Sequence, residues 1–104
     1  MDTQLKKGVL ELCILHLLSQ KDMYGYELMK TVKSVFPDVY DASIYAILRR
    51  THAEGHTEVY QGRTSGGPQR KYYRLTALGN QHLRKMTSEW QEILRAVNRL
   101  GLPT

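Results

Sequence analysis

Between Arg49 and Arg74 the chain carries six Lys or Arg residues (Arg49, Arg50, Arg63, Arg70, Lys71 and Arg74) against two Glu, Glu54 and Glu58. Guanidinium and ammonium groups at that density suit charge-assisted hydrogen bonding to a polyanion. Other chemistries fit less well. His52 and His56 have the i, i+4 spacing of helical metal ligands, yet Gly55 lies between them, ends the helix in our reading, and no third ligand is evident. Cys13 lies in an apolar belt with His16 three residues on, and no base and orienting group can be drawn around it, so it reads as a small core residue. No nucleophile–base pair or paired carboxylate stands out, and Gly66-Gly67 falls between two strands instead of opening a helix after one. An enzyme is not expected.

The elements that must position these cations can be read from periodicity. Ile44, Ile47 and Leu48 fall on one helical face, leaving Tyr45, Arg49, Arg50 and His52 on the remainder. Gly55 is suited to close that helix in the left-handed conformation. From Thr57 to Gln61 and again from Arg70 to Leu75 the period is two, so a strand, a glycine-rich loop containing Pro68, and a second strand follow. A helix followed by a cationic two-stranded ribbon is the layout of a winged helix, whose helix enters a DNA groove while the ribbon reaches the neighbouring backbone. Two positions disagree with this plan: Thr51 and His56 occupy sites where a core wants aliphatic side chains, and the sequence offers no reason for either.

The 104 residues allow one domain with a modest core, and a net charge of +5 suits an acidic partner. A single cysteine excludes an internal disulfide, and with no signal peptide or membrane-length apolar run a cytoplasmic protein is expected. The first helix, Gln4 to Ser19, is apolar around most of its circumference, which predicts burial against its own domain and, through Leu5, Val9 and Leu12, against another subunit. A second helix is expected over Tyr24 to Val35, with Asp22 as a candidate N-cap and Leu28, Met29, Val32 and Val35 on its apolar side. Tyr24 and Tyr26 stand beside its N-terminus, where a phenol can donate to phosphate or simply pack.

Thr76 is suited to cap a last helix running to Leu100. Inside it Leu83, Met86, Trp90, Ile93, Val97 and Leu100 recur every three or four residues as an a/d seam, and the helix from Ala77 to Leu100 is about 36 Å long at 1.5 Å per residue. So small a body cannot cover it, so a second copy of the chain is expected to. The domain reading is therefore a DNA-binding unit over residues 1–76 and a dimerisation helix over residues 77–104, forming one compact whole.

The segments GVLELCILHLL, MYGYELMK, IYAILRRTHAEG and GGPQRKYYRLTALG resemble the PadR family of prokaryotic transcriptional regulators, in particular its small members with a single C-terminal helix. The resemblance spans essentially the whole chain, and Gly66 to Gly79 is its most specific part. It implies a mainly α fold with a two-stranded β wing, a winged helix-turn-helix plus a long C-terminal dimerisation helix. It also implies a homodimer that binds operator DNA, commonly as a repressor, and releases it on a small-molecule signal. Family members usually have Gly, Thr and Pro where this chain has Ala42, Ser43 and Ala46, and aliphatic residues at Thr51 and His56. Ser43 keeps the hydroxyl.

On this reading Tyr24, Tyr26, Ser43, Tyr45, Arg49, Arg50, Arg63, Arg70 and Lys71 are the candidate contacts to double-stranded DNA, and no cofactor or metal is called for. Leu5, Val9, Leu12 and the seam residues are the candidate dimer contacts, and Trp90 could wall a slot for a small planar aromatic effector. The rival is a protein-interaction module, in which the last helix recruits another protein and the basic wing is incidental.

Overall fold

The computed structural model describes residues 3–63 and 66–103, with side chains from Gly8 onward. Its elements in chain order are α1 (Thr3–Gln20), β1 (Met23–Tyr24), α2 (Gly25–Val35), α3 (Asp41–Ala53), β2 (Thr57–Arg63), β3 (Gln69–Leu75) and α4 (Ala77–Arg99). The fold is mainly helical, with a winged helix-turn-helix and a long C-terminal helix. The wing hairpin pairs β2 with β3 from Thr57↔Leu75 to Arg63↔Gln69. The expected two strands are joined by a third, because Met23 and Tyr24 pair with Tyr73 and Tyr72 and give the antiparallel order β1-β3-β2. Two residues are too few to show a period, and so the sequence hid them.

That extra strand moves the start of α2. Its N-cap is Tyr24, without a side-chain cap, and not Asp22, whose carboxylate instead accepts a 2.6 Å hydrogen bond from the Tyr60 hydroxyl. Likewise α3 follows Tyr40 as N-cap, with no side-chain cap from Asp41 or Ser43. Thr76 does cap α4, accepting from the Gly79 amide at 3.0 Å.

The core gathers Leu10, Ile14 and Leu18 of α1, Leu28 and Val32 of α2, Ile44, Ile47 and Leu48 of α3, and Met23 and Tyr73 of the sheet. Burying an aliphatic side chain of this size contributes about 1.5–3 kcal/mol each, which the loss of chain entropy largely offsets. Val35, expected on the apolar face of α2, is instead 69% exposed.

Thr51 and His56, the two unexplained positions, have distinct physical reasons. The Thr51 hydroxyl is fully buried but satisfied, donating to the Leu48 carbonyl at 3.1 Å and lying 3.4 Å from the Thr57 hydroxyl. Gly55 turns the chain at φ 80°, and His56 then stacks its ring on that of His82 in α4, at 4.2 Å between centroids and 9° between planes. An aliphatic side chain at either place would fill space without these contacts.

Candidate nucleic-acid interface

Helix α3 presents Ser43, Ala46 and Arg49 to solvent opposite its buried face of Ile44, Ile47, Leu48 and Thr51. Tyr45 is half-buried, its ring packed over Gly25 so closely that a Cβ there would stand 3.2 Å from the ring. Gly25 thus lets α3 sit against the first turn of α2. Because Tyr24 supplies no side-chain cap, the amides of that turn keep their capacity to hold an anion.

Tyr24 is also part of an aromatic row across the sheet. Its ring meets Tyr72 edge-on at 5.6 Å, and Tyr72 stacks on Tyr60 at 5.5 Å and 16°. Gly62 makes room, since a Cβ there would collide with the Tyr72 ring. The Arg70 guanidinium lies 4.9 Å over the Tyr24 ring, bringing a wing cation beside the N-terminus of α2. Arg74 lies on the same face, 4.8 Å over Tyr60, but it is paired with Glu58 at 2.9 Å. The hydrogen bond to Asp22 holds the Tyr60 phenol above its ordinary pKa, because the carboxylate favours the protonated donor.

Strand alternation separates the wing cations that the sequence groups together. Arg70 stands on the tyrosine face, whereas Lys71 points to the other, its ammonium 5.8 Å from the Tyr73 ring. Arg63 opposes Gln69 at the end of the ladder and so shares the Lys71 face. The hairpin is cationic on both sides. Tyr26, in the first turn of α2, is 52% exposed with Lys30 over its ring at 5.5 Å.

Arg50 is the exception among the candidate contacts. Its Nη2 donates to Glu11 of α1 at 2.7 Å and its Nε lies 3.4 Å from Glu54, so its charge is committed inside the protomer. His52 and His56 do not converge: His52 Nδ1 lies 3.2 Å from the Thr57 carbonyl while His56 faces α4. Among the described residues no three His, Cys, Asp or Glu side chains cluster as metal ligands.

The candidate dimer residues divide. Val9 and Leu12 of α1 and Met86, Trp90 and Ile93 of α4 line one apolar groove of ≈ 350 Å³, and Ile93 and Leu100 are 54% and 88% exposed. Leu83 is already buried at 8% within its own protomer, so it is not available to a second chain. The Leu5 side chain lies outside the described residues. No described helix is long and apolar enough to cross a membrane.

A family model of PadR-like transcriptional regulators matches residues 14–85, covering the helix-turn-helix, the wing and the start of α4. The chain belongs to the PadR-like family. A solved PadR-like transcriptional regulator from Bacillus cereus is 38% identical, with TM-score 0.89 over 98% of this chain and 100% of that one. A Streptococcus transcriptional regulator is 31% identical, with TM-score 0.89 over 96% and 99%. An uncharacterized protein from Lysinibacillus sphaericus is 34% identical over 88% of this chain and 87% of its own. The PadR-like assignment makes this chain a transcriptional regulator, a function that implies DNA binding and not catalysis.

What sequence reasoning missed here is mostly cross-strand. The Tyr24–Tyr72–Tyr60 row needs the register of all three strands, and the commitment of Arg50 needs Glu11, which is 39 residues away.

Proposed function

We propose that this PadR-like chain is a homodimeric, sequence-specific DNA-binding repressor. The observation that carries the reading is the placing of Arg49 and Ser43 on the open face of α3, with Arg70 beside the uncapped start of α2 and Lys71 and Arg63 on the other side of the wing. Arg49 bonds a base edge in the major groove, and Ser43 and Tyr45 bond a base or phosphate. Arg63, Arg70, Lys71, Tyr24 and Tyr26 hold backbone phosphates. Arg50, bound to Glu11 and Glu54, takes no part.

Residues 1–76 form the DNA-binding unit and residues 77–104 the dimerisation helix. The exposed apolar residues of α4 and the groove beside α1 support pairing through Val9, Leu12, Met86, Trp90, Ile93, Val97 and Leu100. A dyad between two such chains puts the reading helices on a roughly palindromic site, with half-sites about 34 Å apart. Trp90, 39% exposed on the groove wall, supports release by a small planar aromatic compound that stacks there.

Selection of duplexes from a random pool, with native mass measured on the same sample, tests the reading. A dimer that recovers a palindromic site supports it. A monomer without preference among duplexes overturns it and favours the protein-interaction reading, in which another protein covers the α4 seam. Unchanged Trp90 fluorescence with planar compounds, where another signal releases the DNA, would remove the slot from the account.

A further inference from the structure

The His52-Glu54-His56 stretch belongs neither to the DNA-facing surface nor to a metal site, yet His56 is 9% exposed, and the groups around it join three helices. Glu11 of α1 stands at the centre. One carboxylate oxygen takes the 2.7 Å hydrogen bond from Arg50 of α3, and the other lies 3.7 Å from His82 Nε2 of α4. His82 stacks on His56, whose Nδ1 lies 3.7 Å from Glu54, and Glu54 returns to Arg50 at 3.4 Å. The five side chains close a ring connecting the reading helix to the first two turns of the dimerisation helix.

This ring touches α4 beyond the point where the helix begins. At the very start of α4, Thr76 is tied to the α3–β2 corner, its hydroxyl donating to Gly55 O at 2.6 Å and its amide to His56 O at 3.1 Å. Hydrogen bonds at one point leave a helix free to pivot. A second fixed point, farther along, removes that freedom: the buried Leu83 anchors α4 against its own protomer, and His82 against Glu11 and His56 fixes which way the helix leans from that anchor. Beyond Leu83 no described residue of α4 is buried, and from Met86 to Ile93 an open groove of ≈ 350 Å³ lies between α4 and α1.

We infer that Glu11 and His82 are positioning residues that set the angle between α4 and the reading helix, and through it the half-site spacing the dimer accepts. This rests on the dimeric DNA-binding reading above. From His82 to Leu100 the helix runs about 27 Å at 1.5 Å per residue, so a tilt of about 10° moves its far end by about 5 Å. That exceeds the roughly 3.4 Å between successive base pairs. Loss of the His82–Glu11 contact, with Leu83 still seated, therefore blurs spacing by about one base pair per protomer, with no contact to DNA removed.

The test is affinity for a set of duplexes bearing the selected half-sites, with the gap between them changed one base pair at a time. It uses wild type, His82→Ala, Glu11→Gln and Glu58→Gln as a charge control outside the ring. His82 is half-buried and alanine is a good helix former, so that variant folds even if Glu11→Gln is less stable. Wild type and Glu58→Gln are expected to favour one gap by about 10-fold or more over its neighbours, since each added pair also rotates one half-site. His82→Ala and Glu11→Gln should lower that ratio to about 3-fold or less while leaving each variant dimeric. If both variants keep the wild-type profile, or lose affinity equally at every gap, the positioning role is overturned. A wild type that binds no duplex overturns the DNA-binding reading itself, a result distinguishable from the first.

Discussion

The backbone of Gly79, one turn into α4, seats against the carbonyl oxygen of His56, leaving no space for a Cβ. A side chain there would push α4 off the α3–β2 corner and strain the Thr76 cap at the same time. Gly79→Ala is therefore expected to lower stability by about 1–3 kcal/mol although alanine is the better helix former. Denaturant unfolding of the two proteins side by side measures it, and an alanine variant as stable as wild type would show that the corner can open at no cost.

Thr51 and Thr57 share a buried pair of hydroxyls. Thr51→Val alone leaves the Thr57 hydroxyl with one partner fewer and should cost about 1 kcal/mol, whereas replacing both by Val should recover most of it. A double-mutant cycle by thermal or urea unfolding gives the coupling. Additive losses would mean that the two hydroxyls act independently.

The cations on opposed faces of the wing can be tested separately. Arg70→Ala and Lys71→Ala should each weaken binding to all duplexes and flatten the slope of log affinity against log salt by roughly one unit. Arg50→Ala should leave that slope alone and lower the melting temperature instead, because its charge is spent on Glu11 and Glu54. Titrations at several salt concentrations distinguish these outcomes.

Among the described residues Arg49 has no such internal partner, and it is exposed on α3. Arg49→Ala should relax preference at one base position by about 1–3 kcal/mol while leaving the others intact. Repeating duplex selection with the variant checks this, and an unaltered logo would exclude Arg49 from base reading.

Burial pushes the Cys13 thiol above its ordinary pKa, since the apolar surroundings disfavour the thiolate. Alkylation by iodoacetamide should therefore reach half its limiting rate at a higher pH than for free cysteine, whose pKa is about 8.5. The same shift means that the folded chain holds the proton more tightly than the unfolded one. Its contribution to stability is complete below the unfolded value and is lost as pH rises through the folded one.

How far the sequence could be read follows the range of the interactions. The apolar face of α3, the αL turn at Gly55, the Thr76 cap and the wing hairpin are local patterns, and all were legible. Strand β1 was not, because two residues carry no periodicity. Arg50 looked like its neighbour Arg49, and only the fold brings Glu11 to it. Leu83 fitted the heptad seam as well as Met86 does, since spacing alone cannot tell which end of a helix lies against its own body. His56 seemed misplaced until His82 supplied a ring of the same shape.

The short strand at Met23–Tyr24 also limits what can move on binding. Because backbone pairing joins the entrance of α2 to the middle of the wing, the first-turn amides and the Arg70 guanidinium, if they hold phosphates as proposed, act as the two jaws of a rigid caliper. The gap between them is fixed by the sheet and not by a loop. A duplex gripping both must bring its sugar-phosphate chain to that gauge, so whatever bending the encounter requires falls on the nucleic acid.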